Sequence, residues 1–146
     1  MKNNIYIING PNINKIGNRE KEIYGEKNIN EYLINIKKKF LKKKYNINIY
    51  NSNSEGKIID YLYKKSNNKN IKGFIINLGA YSHTSLAISD AIRSIKDKIK
   101  IIEVHISNIF IREKIRHKSF ISPYCNGIII GLGINVYKIA ILSLIN

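Results

Sequence analysis

Five short apolar runs alternate with four amphipathic segments along this 146-residue chain. The runs are typical of buried strands and cover residues 4–8, 46–50, 73–77, 100–105 and 127–131. Apolar side chains recur at helical spacing over about 28–44, 55–67, 84–98 and 133–145. This alternation predicts a parallel sheet with right-handed crossovers and helices on both faces. No linker or repeat divides the chain, so we expect a single domain over residues 1–146.

Polar segments follow three of the predicted strands. If the α/β sandwich has the flavodoxin-like strand order 2-1-3-4-5, its switch point lies between the first and third strands, where ligands bind at the carboxyl ends. Residues 9–24, 77–83 and 103–108 leave the sheet near that point. Polar loops explain any one of these segments, but together they predict one crevice at which all three meet.

Glu103 and His105 are two residues apart in the fourth predicted strand. Their side chains therefore leave the strand from the same face. A carboxylate there can orient an imidazole and favour its charged form, which makes His105 a candidate proton donor. A histidine in an apolar strand can also be a packed core residue, but the adjacent Glu103 favours catalysis.

Tyr24 lies five residues after Arg19 at the end of the first polar segment. A phenol titrates near pH ~10, so it acts as a base near neutrality only if cations lower its pKa. Arg19 and Arg112 are the candidate cations. Only four of the 25 basic residues are arginine, and a guanidinium offers a planar donor fork that lysine lacks. Without these arginines, packing would be the simpler role for Tyr24.

The third polar segment, NLGAYSHTS, predicts further ligand contacts. His83 can donate to a hydroxyl, and Thr84 or Ser85 begins a helix whose free amides attract anions. The Gly131-Leu132-Gly133 sequence is predicted to be a tight turn, because Val136 replaces the third glycine of a dinucleotide loop. No metal-ligand spacing occurs, so we expect no metal and no cofactor.

The net charge of +15 suits nucleic acid, a membrane surface or a small anionic substrate. The lysines of KKKFLKKK, at residues 37–44, fall on the solvated face of a predicted helix. A basic module that binds RNA or another polyanion is therefore the alternative to an enzyme, and only charge supports it. No apolar run reaches eighteen residues and no export segment is evident, so we expect a cytosolic protein without membrane contact.

Five ordered segments resemble one family. They are NGPNINKIGNREKEIYG, NLGAYSHTS, EVHISNIFIRE and RHKSFISPYCNGIIIGLG, together with NSNSEGKIID. This pattern is similar to type II 3-dehydroquinate dehydratase of the shikimate pathway. The resemblance implies a flavodoxin-like subunit that converts 3-dehydroquinate to 3-dehydroshikimate by anti elimination through an enolate, without metal or Schiff base.

The resemblance also implies roles for the acid and the base. Tyr24 would remove the C2 proton, with its phenolate favoured by Arg19 and Arg112. His105, held by Glu103, would protonate the departing C1 hydroxyl. Arg19 and Tyr24 would lie on a lid that closes over the substrate.

Binding roles are implied for further residues. Asn12 would fix a water that stabilises the enolate oxygen, and Asn77 would bind near the leaving hydroxyl. His83 and Arg116 would hold ring hydroxyls.

The family is usually a homododecamer, a tetramer of trimers. The amides of Ile106 and Ser107 would bind the substrate carboxylate, and Asp90 would reach the site from a neighbouring subunit.

The chain departs from the family pattern at four positions. Ser54 and Phe110 stand where histidine is usual, Leu78 where proline is common, and Lys15 where the lid has an apolar residue. Ser54 and Phe110 lie outside the implied catalytic set, so they bear on packing or subunit contacts, whereas Lys15 bears on the lid.

Replacing Arg19 with lysine keeps the charge and removes the planar fork. If the fork holds Tyr24 as phenolate, kcat should fall by ~10-fold or more, about 1.4 kcal/mol of transition-state stabilisation. The acidic limb of the pH profile should move upward, because the phenolate loses stabilisation. Unchanged kcat and an unchanged profile would reduce Arg19 to an electrostatic guide.

Overall fold

All five predicted strands join one parallel sheet in the computed structural model of the chain. The sheet order is β2-β1-β3-β4-β5, as predicted. The strands are β1 (Asn3–Asn9), β2 (Tyr45–Asn51), β3 (Ile71–Asn77), β4 (Ile101–His105) and β5 (Gly127–Ile130). The structure describes residues 2–18, 20–24 and 27–146, with the backbone alone for Lys21 and Tyr24. This is the flavodoxin-like α/β arrangement.

Helices cover both faces of the sheet. They are α1 (Lys21–Tyr24), α2 (Ile29–Leu41), α3 (Glu55–Ser66), α4 (Tyr81–Thr84), α5 (Leu86–Ile95) and α6 (Asn135–Ile145). Helices α2 and α6 pack on one face, and α3 and α5 pack on the other. Because both faces are buried, the central strands are apolar along most of their length.

Alternation along each strand divides the core into two layers. In β1, Ile5 and Ile7 face α2 and α6, whereas Tyr6 and Ile8 face α3 and α5. The same alternation in β4 turns Glu103 and His105 away from the layer that contains Val104. The polar pair therefore faces the side of the sheet on which α5 lies.

The main elements lie within a few residues of the predicted bounds, but the capping of α3 differs. The spacing of Ser52 and Glu55 suggests a capping box, yet Ser54 is the N-cap and accepts a hydrogen bond from Lys57 N. Ser52 Oγ accepts instead from Ser54 N, at 3.1 Å. Helix α5 begins as expected, since Ser85 Oγ accepts from Ile88 N.

Short helical segments escaped prediction because three or four residues are too few to show a period. They are α1, α4 and the 3-10 helices Ile13–Lys15, Ile109–Ile111, Lys114–His117 and Ser122–Tyr124. All lie between a strand and the next long element. The connections leave the carboxyl ends of the strands, and the 3-10 helix Ser122–Tyr124, the last in its connection, leads into the start of β5.

Within residues 2–18, 20–24 and 27–146, no helix is both long and apolar enough to cross a bilayer.

Candidate active site

A cleft opens at the carboxyl ends of β1, β3 and β4, at the switch point of the sheet. Seven of the predicted site residues line it, namely Asn77, His83, His105, Ile106, Ser107, Arg112 and Arg116. Ile13, Gly79 and Ile109 complete the described lining. The three polar segments of the sequence therefore converge as the strand order predicted.

The Glu103 carboxylate and the His105 imidazole lie side by side at the end of β4. Oε2 of Glu103 accepts a hydrogen bond from Nε2 of His105, and both residues are buried. Since a carboxylate accepts and does not donate, the Nε2 nitrogen carries a hydrogen. Nδ1 is then the ring nitrogen of His105 that remains for a ligand in the cleft.

Two serines hold the other side of the carboxylate. Ser122 Oγ donates to Oε1 of Glu103, and the Ser119 side chain also hydrogen-bonds this carboxylate. Burial alone would raise the pKa of Glu103. The hydrogen bond and the charge of His105, together with the hydrogen bonds of the two serines, have the larger combined effect. They hold the pKa of Glu103 below its ordinary value of 4.5. Glu103 is therefore ionised at neutral pH.

His83 lies beside His105, with ring centroids 5.9 Å apart. Burial lowers the pKa of His83, and the nearby His105 and Arg116 lower it further. The hydrogen bond to Lys118 O raises the pKa, but by less, so the net shift is downward. Nδ1 is 2.8 Å from that carbonyl, which can only accept, so the neutral ring carries its hydrogen on Nδ1. Nε2 is then an acceptor, whereas the sequence predicted a donor.

Two guanidiniums give the cleft its positive charge. Nη1 of Arg112 is 3.4 Å from Ser107 Oγ, and Arg116 pairs through Nε with Glu113. The backbone carbonyl of Arg112 contacts Nε2 of His117 at 3.0 Å, which ties the segment after β4 to the following 3-10 helix. These cations favour a ligand with negative charge.

Helix α1 borders a second cleft that has lining residues in common with the first. Glu22 and Ile23 line this second cleft, which shares Ile106, Ser107 and Arg112 with its neighbour. The backbone of Tyr24 ends α1, but its side chain lies outside the described residues. Arg19 lies outside them entirely.

Besides Glu103, which contacts the cleft residue His105, the structure leaves two predicted site residues out of the described lining of the cleft. Asn12 is adjacent to it, with a left-handed backbone (φ 67°) and an amide that donates to Asn53 Oδ1 at 3.2 Å. Asp90 is exposed on α5, where Arg93 Nη2 lies 3.5 Å from its Oδ1. A single subunit therefore does not bring Asp90 to the cleft.

In the described part of the chain, no group of three or more His, Cys, Asp or Glu side chains is placed to hold a metal ion. Cys125 is half-buried, and burial raises the pKa of its thiol. Of the departures from the family pattern, Ser54 caps α3 and Leu78 is buried. Phe110 is exposed beside the His117 ring.

Sequence reasoning missed two groups that support the site. Ser122 lies in a quoted motif, but nothing in its spacing indicates a contact with Glu103, 19 residues away. Tyr137 interrupts the apolar stripe of α6, and its hydroxyl accepts from Asn77 Nδ2 at 2.8 Å. From the sequence, a tyrosine in an apolar helix stripe is predicted to be a core residue and not part of a hydrogen-bond network.

The fold and cleft together define a small α/β protein with a buried carboxylate–imidazole pair beside a cleft that two guanidiniums line. The model of the family described as dehydroquinase class II matches residues 3–145. The 3-dehydroquinate dehydratase of Caldicellulosiruptor saccharolyticus is 50% identical over 140 residues, which cover 96% of this chain and 94% of that protein. This chain belongs to the class II dehydroquinase family.

Solved structures of the family agree with this assignment. The type II dehydroquinase of Butyrivibrio crossotus has a TM-score of 0.92 at 46% identity and covers 99% of each chain. The enzyme of Propionibacterium acnes has a TM-score of 0.86 at 32% identity, over 99% of this chain and 97% of that one.

Ser122→Ala removes one donor from the buried carboxylate. At pH 7 the variant should be less stable by about 1–3 kcal/mol, because Oε1 of Glu103 loses a partner without gaining water. The pKa of Glu103 is lower in the folded protein than its ordinary value of 4.5. The ionised carboxylate therefore adds its full contribution to the free energy of unfolding above pH 4.5. That contribution is lost as the pH falls through the pKa of the folded state. The difference from wild type in urea unfolding should therefore narrow below pH 4.5.

Ser143→Ala is the matched control, since Ser143 Oγ donates to Ala140 O within α6. Its stability difference should not change with pH. A pH-independent difference for Ser122→Ala would show that this hydroxyl does not act through the charge of Glu103.

Proposed function

We propose that this protein is a 3-dehydroquinate dehydratase that eliminates water from 3-dehydroquinate to give 3-dehydroshikimate. The observation that carries the proposal is the buried Glu103–His105 pair at the base of a cationic cleft, in a member of the class II dehydroquinase family. Glu103 balances the charge that His105 carries when protonated, so Nδ1–H can act as a general acid in the cleft.

The reaction requires one base, one acid and a site for the enolate. Tyr24, as a phenolate supported by Arg19 and Arg112, takes the C2 proton, and the electrons of the C–H bond form an enolate. Collapse of the enolate forms the C1–C2 double bond and breaks the C1–O bond. His105 gives its proton to the leaving oxygen, which departs as water. A water held by Asn12 stabilises the enolate oxygen.

Substrate binding uses the remaining groups of the cleft. The amides of Ile106 and Ser107 take the carboxylate, within the field of the nearby guanidiniums. His83 accepts a ring hydroxyl at Nε2, and Arg116 donates to another. These assignments are supported by the position of all four residues in the cleft lining.

The second cleft supports a closing role for the segment that carries the base. Helix α1 already borders this cleft through Glu22 and Ile23, and Arg112 lines both clefts. Movement of α1 toward Arg112 would carry Tyr24 toward the cleft that binds the substrate. Closure also excludes water, which strengthens the interaction between phenolate and guanidinium.

We further propose a cytosolic homododecamer, a tetramer of trimers, in which the chain is a single catalytic domain. Large apolar side chains are exposed beside the cleft, with exposed fractions of 58% for Phe110, 82% for Ile111 and 68% for Ile115. Neighbouring subunits would cover such a surface. They would also bring Asp90 of one subunit to the cleft of another.

Light scattering should give the mass of twelve 16.8 kDa chains. The physical reason is the apolar surface beside the cleft, which costs free energy while exposed to water. A monomer mass would contradict the assembly and leave Asp90 without a role at the site.

The activity is tested by adding 3-dehydroquinate and following the ultraviolet absorbance of the conjugated enone product. His105→Ala and Tyr24→Phe should each lower kcat by at least ~10²-fold, the usual contribution of a general acid or base. Tyr63→Phe is the control for the tyrosine variant, because Tyr63 lies on α3 and its hydroxyl meets Ser94 at 3.1 Å. Near-normal kcat in either site variant would reject that residue's role.

A further inference from the structure

A chain of hydrogen bonds, buried except at Asn51, leads from the edge strand of the sheet to the cleft. Asn9 Nδ2 donates to Asn51 Oδ1 at 3.0 Å, and Tyr137 OH donates to Asn9 Oδ1 at 2.7 Å. Asn77 Nδ2 in turn donates to Tyr137 OH at 2.8 Å. Asn9, Asn77 and Tyr137 have exposed fractions of 1%, 2% and 0%. Asn77 alone of these also lines the cleft.

The chain has a direction because the Tyr137 hydroxyl has one hydrogen. That hydrogen is donated to Asn9 Oδ1, so the hydroxyl can only accept from Asn77, and it does so from Nδ2. Asn77 Oδ1 is left as an acceptor, and none of the described residues donates a hydrogen bond to it. The amide is therefore oriented from behind by Tyr137.

The hydroxyl retains its hydrogen at any working pH. Burial raises the pKa of Tyr137, against a smaller opposing effect of the hydrogen bond from Asn77. Tyr137 is thus both a donor and an acceptor under assay conditions. It differs in this from Tyr24, which must lose its proton to act.

Packing alone does not require a hydroxyl at this position. Tyr137 lies among apolar neighbours in the layer beneath α6, where phenylalanine fills nearly the same volume. A hydroxyl buried there costs free energy unless it is satisfied, and its two partners are asparagines at the ends of β1 and β3. The arrangement thus couples α6 to the amide in the cleft.

We infer that Tyr137 is a positioning residue, whose hydroxyl holds the Asn77 amide with Oδ1 toward the leaving hydroxyl of the substrate. This inference rests on the proposed function. The C1 hydroxyl would donate to Oδ1, which leaves its own lone pair free to accept the proton from His105. An amide turned the other way would compete for that lone pair and oppose the proton transfer.

The test is Tyr137→Phe, measured with the substrate and with the product. 3-Dehydroshikimate lacks the C1 hydroxyl, so its binding does not depend on the orientation of Asn77 Oδ1. In the variant, kcat/KM should fall by ~10-fold, the effect of one misplaced hydrogen bond in a buried site. Product affinity, measured by calorimetry or competitive inhibition, should stay within about 2-fold of wild type, because the cleft is otherwise unchanged.

Tyr32→Phe is the matched control. The Tyr32 hydroxyl is 3.4 Å from Asn135 Oδ1, at the start of the same helix α6, but it is not part of the chain to Asn77. Neither kcat/KM nor product affinity should change in this variant. The comparison separates loss of the Tyr137 hydroxyl from a general disturbance of α6.

Three results would overturn the role. An equal fall in kcat/KM and product affinity would show that Tyr137 supports the cleft only as a structural element. Unchanged values for both would show that the Asn77 amide does not need it. Absence of turnover in the wild-type protein would reject the proposed function, and this role with it, before any variant is compared.

Discussion

The site depends on an ionised carboxylate held with no exposed surface in the middle of the sheet. Glu103 could not remain charged there alone, because burial strongly disfavours an isolated charge. His105 occupies one oxygen and Ser122 the other, so the carboxylate is satisfied from two sides. The imidazole is consequently fixed in one orientation, with its second nitrogen available to the cleft. The hydrogen bonds from His105, Ser122 and Ser119 thus offset the free-energy cost of burying the Glu103 charge.

Parallel register explains why the other groups lie near this pair. Asn9 pairs with Asn77 across β1 and β3, and Ile76 pairs with Glu103 across β3 and β4. Asn9 and Asn77 end their strands, and Glu103 lies two residues before the end of β4, near the edge where backbone groups become available to ligands. The strand order makes the connections that follow β1 and β3 run in opposite directions, which leaves a crevice between them. Register and topology thus bring together polar groups that lie far apart in the sequence.

Much of the fold could be predicted from the sequence because two periods were clear. Strand runs and helical stripes alternate, and the two-residue spacing of Glu103 and His105 places both side chains on one face. The contacts of Ser122 and Tyr137 could not be predicted, since neither a 3-10 helix nor a buried tyrosine has a period that indicates its partner. Asp90 is a different case, because its predicted contact belongs to a second chain.

The bond between Tyr137 and Asn9 joins residues 128 positions apart. During synthesis β1, which carries Asn9, leaves the ribosome long before α6 has been made. Helix α6 also covers one core layer of the sheet, so the Asn77 amide is oriented only when that layer is closed. Catalytic competence would therefore arrive with complete folding of the domain and not before it.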